Sequence, residues 1–449
     1  MVVLGLFGTG GDYRSGFPSV NQRIPTMAFE FSTIGRHLGT GSGIEELMDD
    51  LGHALAKGGP NIKMLGGGQP ARIPEINAVW RQRLEELMAE EGGLERSLTR
   101  YDSPRGNPHF LEAIAKLFRE SFGWNIGPEN VAVTAGGQTA FFFLFNLLAG
   151  AMPDGRRKKI LLPVVPEYIG YANQSASEEL FRAVPPVITE TGPHEFKYGV
   201  DFDNLEIGDD VAAICFSRPT NPTGNVLTDA EVARLSGIAK EHGIPLIIDN
   251  AYGAPFPNIF FADAKPFWDE HVVLTFSLSK IGLPATRTGI VIGPPEIIRA
   301  LGSMSAIVGL ANTNIGQQIV LPLVESGKIL ELSNDIVRPF YQEKSRLAVK
   351  AAEEIFGDDF PWRVHRSEGA LFLWFWFPGL PITSKELYER LKRREVLVVP
   401  GHYFFFGHDD PAWRHREECI RVSFAMDESV VRDGLKIIAE EIRACLSGS

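Results

Sequence analysis

Several polar clusters in this 449-residue chain hold residue types that can act together on a small molecule. Lys280 closes the run Ser277-Leu278-Ser279-Lys280, and Arg287 follows seven residues on. Two hydroxyls and a guanidinium can cradle a phosphate through charge-assisted hydrogen bonds. The amine beside them can hold a carbonyl compound as an imine. The same letters also read as Ser-x-x-Lys with Ser277 as nucleophile, although the companion Lys-Thr-Gly is absent, or as a solvated lysine after a strand. Gly136-Gly137-Gln138 offers backbone N–H groups at the start of a helix, a setting for an anion or simply a tight turn. Asp249 ends an apolar run, where a carboxylate needs a cationic or hydrogen-bonding partner or acts as a helix cap. Tyr252, three residues on, carries a phenol, and Asn221 sits in a rigid turn between Pro219 and Pro222. Arg421 lies inside the apolar stretch 419–424, so its planar fork seeks either a carboxylate ligand or a structural acid.

These residues need elements to bring them together. Short runs rich in Val, Ile and Leu occur at 130–134, 159–164, 211–217, 245–249, 271–276 and 288–292, with helical stretches such as 229–242 between them. Dense apolar runs of this kind read as strands covered on both faces. Strand and helix in alternation predict an α/β fold with a doubly wound, mostly parallel sheet. The polar clusters follow the carboxyl ends of these runs, where open parallel sheets bind ligands. The last third differs. It predicts one or two long helices over 321–356, strands at 370–377, 396–399 and 419–424, and helices at 381–394 and 428–446, forming a smaller α+β unit. The expected division is a flexible leader at 1–30, in which Met27 is an alternative start, and a segment at 31–94 that contributes to the small unit. A large domain at 95–325 and a C-terminal small domain at 326–449 follow.

Composition narrows the partners. A net charge of −12 argues against a nucleic-acid surface. Cys215, Cys419 and Cys445 are odd in number and far apart, which fits neither a disulfide framework nor a zinc site. The longest apolar run, 140–152, is broken by Asn146 and too short to span a bilayer. The N-terminus lacks the basic start and long apolar region of a signal peptide, so a cytoplasmic location is expected.

Ser217-Arg-Pro-Thr-Asn-Pro-Thr-Gly224, Asp249-x-x-Tyr252, Ser277-x-Ser279-Lys280 and Arg287-x-Gly289 occur in that order, with Tyr101-x-x-x-x-Gly106 upstream and Arg421 downstream. Together they resemble the class I/II aminotransferases of fold type I, enzymes dependent on pyridoxal phosphate. Residues 65–70, 140–146, 166–171, 196–198, 282–284 and 400–402 resemble a branch that exchanges amino groups between valine or alanine and pyruvate or 2-oxoisovalerate. The resemblance implies a large cofactor domain and a smaller domain, and ping-pong exchange between pyridoxal and pyridoxamine phosphate. It implies that Lys280 carries the cofactor and shuttles the proton, and that Asp249 pairs with the pyridine nitrogen. Tyr252 and Asn221 would bond its phenolic oxygen, and Tyr168 would stack on its ring. Gly136, Gly137, Gln138, Ser277, Ser279 and Arg287 would bind its phosphate, with Tyr101 entering from the second subunit of a homodimer. Arg421 would grip the substrate carboxylate, assisted by Gly68 and Asn221. Gly137 replaces a frequent serine, and Pro284-Ala285 replaces a frequent Pro-Gly. A C–S β-lyase or a transaminase of other specificity shares all these residues and is separated from this reading by a keto-acid-dependent half-reaction. A cofactor-binding regulatory module would need a basic DNA-binding domain, and residues 1–60 are poor in Lys and Arg. Phe142, Tyr198 and Tyr403 are aromatic candidates for the substrate pocket or for the core.

Overall fold

The computed structural model describes residues 29–39, 52, 62–408, 410 and 412–447. Nearly all of the expected leader, Met27 included, lies outside the described residues.

The apolar runs form one eight-stranded sheet in the order Val131–Thr134, Gly289–Ile292, Val272–Ser277, Leu246–Asp249, Val211–Ser217, Arg157–Leu162 and Gly150–Ala151, with Phe181–Ala183 also paired to Arg157–Leu162. The pairings from Val272–Ser277 across to Arg157–Leu162 are parallel, and Gly289–Ile292 runs antiparallel to both its neighbours. The four central runs are buried at every residue, as strands covered by helices on both faces must be. Register then does the positioning. Ser217 pairs with Asp249, and Asp249 with Thr275. Three polar side chains therefore stand in a row at the carboxyl edge of three adjacent strands, on one face because paired residues share a face. The helices are set by local chemistry. Asp229–Glu241 starts from a reciprocal cap, in which Thr228 Oγ1 accepts from Glu231 N while the Glu231 carboxylate accepts from Thr228 N.

A second sheet of six strands runs Val399–Pro400, Cys419–Ser423, Phe372–Trp376, Arg363–His365, Glu195–Gly199 and Val187–Glu190. The last two come from the middle of the stretch expected to form the large domain. The hairpin 187–199 leaves the large sheet and pairs in parallel with Arg363–His365. Its reason is burial: Phe196 and Tyr198 are buried against His365, Trp374 and Trp376 of this second sheet and the adjoining His415. The helices Arg338–Phe356 and Glu428–Ser447 pack against each other. The one or two long helices expected over 321–356 form as Ile315–Glu325, Lys328–Leu332, a π-helical turn Ser333–Val337 and the long helix Arg338–Phe356. Lys63–Met64 pairs with Val396–Leu397, which ties the start of the segment that lines the cavity to the small unit. Among the described residues no helix is long and apolar enough to cross a membrane, and no His, Cys, Asp and Glu group could hold a metal.

Candidate active site

A cavity of about 830 Å³ opens at the carboxyl edge of the large sheet, against the second sheet. It is lined by Gly68, Gly137, Gln138, Tyr168, Asn221, Asp249, Tyr252, Ser277, Ser279, Lys280, Arg287 and Arg421, so residues separated by some 350 positions converge there.

Lys280 sits on the 3-10 turn Leu278–Ile281 that follows the strand Val272–Ser277. Its Nζ donates to Gly68 O at 2.6 Å and lies 5.2 Å from the centre of the Tyr252 ring. No hydrogen bond joins it to Ser277, whose Oγ instead accepts from Ser279 N, so the Ser-x-x-Lys arrangement is not formed. Burial lowers the Lys280 ammonium to about 8, and the charges of Arg421 and Arg287 push the same way against the pull of Asp249. An amine held there is available uncharged near neutral pH, as a nucleophile or base must be.

Asp249 is buried at the end of its strand. Its Oδ1 accepts from Ala251 N at 2.9 Å and Thr275 Oγ1 at 3.2 Å, and its Oδ2 accepts from Tyr171 OH at 2.5 Å. Burial raises its carboxyl, and these donors and Lys280 counter that. Tyr171 lies in a stretch noted for resemblance but was given no role from sequence. The only signal was its spacing of three from Tyr168.

Gly136 caps the helix Gly137–Leu148 at φ 90, a conformation favouring glycine. A Cβ there would lie 2.1 Å from Arg287 Nη2, so glycine is what lets the guanidinium reach the helix N-terminus. Arg287 itself holds a left-handed φ of 47. That strain costs on the order of 1 kcal/mol and is offset by the rest of the fold. Around Gly137 nothing lies within 4 Å of a Cβ, so the missing serine is not a steric exclusion. The Gln138 side chain donates to Gly170 O at 3.2 Å, which leaves its backbone N–H as the group facing an anion. Among the described residues no carboxylate pairs with Arg287.

Arg421 is buried between Phe372, 4.1 Å from its guanidinium carbon, and Phe404 at 5.3 Å. Its Nη1 donates to Asn221 Oδ1 and its Nη2 to Gly66 O, both at 2.6 Å, while its buried Nε has no partner. Burial lowers it to about 10, so it stays charged at neutral pH. No acid among the described residues neutralises it. A buried guanidinium without an acid costs several kcal/mol by rough estimate unless an anion joins it, which points to an anionic ligand. With Oδ1 committed to Arg421, the Asn221 amide NH2 is left to donate.

Tyr101 is 82% exposed and outside this chain's own cavity. Phe142, Tyr198 and Tyr403 do not line it. Tyr198 is core, bonded to His415 Nε2 and Trp374 Nε1, and the neighbour Phe141 takes the place at the wall because the helix turns that side inward. Met64 and Met426 add to the apolar wall and carried no signal in the sequence, whereas Pro70 closes the stretch 65–70 that carried the resemblance.

Residues 74–438 match the family described as aminotransferase class I and II. Valine–pyruvate aminotransferase of Escherichia coli (strain K12) is 45% identical over 412 residues, 92% of this chain and 98% of that one. The crystal structure of valine-pyruvate aminotransferase from Salmonella typhimurium LT2 superposes with a TM-score of 0.83 at 43% identity, covering 90% of this chain and 100% of that one. A crystallised chain from Psychrobacter arcticum 273-4 superposes with a TM-score of 0.91 at 45% identity, covering 94% of this chain and all of its own.

Proposed function

The chain belongs to the class I and II aminotransferases, and we infer that it binds pyridoxal phosphate through Lys280 and exchanges amino groups between L-valine or L-alanine and pyruvate or 2-oxoisovalerate. Enzymes of this class depend on that cofactor. The residues present fit it: a buried acid, a buried amine, and a helix N-terminus that Arg287 reaches only because Gly136 has no Cβ. When bound, the cofactor supplies an electrophilic carbonyl and a ring that accepts electrons. In this reading Gly136, Gly137, Gln138, Ser277, Ser279 and Arg287 hold the phosphate, and Asp249 holds a proton on the ring nitrogen. Tyr252 and the Asn221 amide donate to the phenolic oxygen, and the Tyr168 ring packs against the pyridine. Arg421 binds the substrate carboxylate. Lys280 Nζ takes the α-proton and returns it.

The observation that carries the reading is the buried Arg421 without an acid, in one cavity with the lowered Lys280 amine. The substrate class is supported by what remains of the wall. Every cation there is already assigned, and the apolar part of the lining includes Met64, Pro70, Phe141, Ile169 and Met426. An aliphatic side chain suits such a surface, whereas a second carboxylate would lack a counter-charge from this chain. The purified protein is expected to show a cofactor absorbance band that changes on adding L-valine and returns on adding pyruvate. A band that ignores valine and answers another amino acid would discard the substrate. No band after incubation with pyridoxal phosphate would discard the cofactor.

The same reading makes the enzyme a homodimer in which Tyr101 enters the partner's site. Tyr101 is exposed, and its segment is tied to the loop after the helix Pro295–Gly309 by a hydrogen bond from Asn312 Nδ2 to Pro104 O. Ile307, Val308 and Leu310 at the end of that helix are exposed too, an apolar surface of the kind that subunits cover. Sedimentation equilibrium is expected to give twice the 49.5 kDa chain mass. A monomer would remove the role of Tyr101.

A further inference from the structure

Glu167 has no part in the roles above, yet its side chain is fully buried directly behind the cavity wall. Its Oε1 accepts from Ser217 N at 2.7 Å. Its Oε2 accepts from Tyr168 N at 3.1 Å and lies 2.6 Å from Ser217 Oγ. Ser217 Oγ is 3.4 Å from Tyr171 OH, and Tyr171 OH donates to Asp249 Oδ2. Two buried carboxyl groups are thus joined end to end by two hydroxyls. We propose that Glu167 is a positioning residue for the transamination: it holds a proton in the interior and passes hydrogen bonds through Ser217 and Tyr171 to Asp249, so that Asp249 stays the charged member of the pair. This rests on the role of Asp249 at the ring nitrogen given above.

The groups facing Glu167 decide where the proton sits. Its own segment presents the Tyr168 N–H and the Tyr171 phenol, and Phe404 O takes the Glu167 N–H. The strand Val211–Ser217 presents Ser217 and the Cys215 thiol, and the next strand presents Asp249. Among the described residues no Lys, Arg or His forms an ion pair or hydrogen bond with Glu167. Asp249, by contrast, accepts three donors and feels the Lys280 charge. Two neighbouring buried carboxyls with one nearby cation do not both ionise. Burial pushes Glu167 up to about 8, which makes it the neutral one at pH 7. The donor count agrees. With the proton on Oε2, Glu167 donates to Ser217, Ser217 to Tyr171 and Tyr171 to Asp249, so each hydroxyl gives one bond and accepts one. Once Glu167 ionises, the Ser217 hydroxyl must turn back to it, and the contact with Tyr171 loses its hydrogen. Tyr171 still donates to Asp249 but accepts nothing from Ser217, and a second negative charge then stands at the far end of the chain from Asp249.

The test needs a probe that separates this carboxyl from the Lys280 amine, which titrates in the same range. The infrared C=O stretch of a protonated carboxyl serves, because amines do not have one. The cofactor-free full chain is expected to show a buried carboxyl band at pH 6.5 that fades through about pH 8, and Glu167→Gln is expected to lack it. In the loaded protein, Glu167→Ala is expected to weaken cofactor binding roughly tenfold or more, from the donors it strands. Glu167→Gln, which donates from its amide, should recover most of that loss at pH 7, and its cofactor spectrum should lack an inflection near pH 8 that wild type shows. A band that persists in Glu167→Gln would assign the proton to Asp249 and overturn the proposal, as would superimposable pH profiles for the two proteins. The infrared result stands even if no cofactor absorbance is found, so failure here is distinguishable from failure of the cofactor reading.

Discussion

Lys280→Ala is expected to slow the half-reaction with L-valine by about 10⁴-fold, the upper end of what one positioned base contributes. The size follows from the surroundings. Nζ is buried, is lowered to about 8 and has Gly68 O as its hydrogen-bond acceptor. Nothing else in the cavity replaces it: the phenols of Tyr168 and Tyr252 are raised by burial, and Asp249 is committed to three donors. Lys280→Arg separates base from charge, because a guanidinium keeps the positive charge and never gives up its proton near neutral pH. Both variants should therefore fall together in a stopped-flow half-reaction. If Lys280→Arg retains more than about a tenth of wild-type rate, an effect worth under ~1.4 kcal/mol, the residue supplies charge and not proton transfer.

The second large effect is at Arg421. Arg421→Leu should lower kcat/KM by about 30- to 5,000-fold, corresponding to the ~2–5 kcal/mol lost when one partner of a buried charge pair is truncated. The loss should be similar for valine and pyruvate, because both present the same carboxylate to the same fork. It should nearly vanish for an amine of the same shape without a carboxylate, so the comparison of valine with isobutylamine isolates the pair. Arg421→Lys is not expected to rescue fully. A single ammonium cannot at once reach Asn221 Oδ1, Gly66 O and a ligand in the fixed geometry of the guanidinium. The cofactor band of each variant checks that the site remains loaded. An equal loss for valine and isobutylamine would move the carboxylate site elsewhere.

Much of this centre was legible because the strands that carry it are buried throughout. A run such as 211–217 can only be a covered strand, and the polar letters after it must then sit at the sheet edge. Arg421 was legible for the converse reason, as a charge where the pattern demanded apolar residues. What was not legible depended on pairing at long range. The hairpin 187–199 was not among the strands expected from sequence, and only its partner strand, with Val364 opposite Glu195 169 residues later, assigns it to the second sheet. Glu167 and Tyr171 were unreadable as a network because their link to Asp249 passes through register between strands. The choice of Phe141 over Phe142 as wall turns on helix phase, which neighbouring phenylalanines do not reveal.

That hairpin also shapes how the chain must be made. Synthesis completes every strand of the large sheet by Ile292, while Phe196 and Tyr198 wait for Arg363–His365 and Phe372–Trp376 to emerge from the ribosome. Until then a nascent chain carries two large aromatic side chains on an unpaired strand edge, the kind of surface that draws other chains. A gene fragment ending near residue 325 would encode the entire cofactor sheet and still be poorly soluble, because its missing piece is the cover for a strand in its middle.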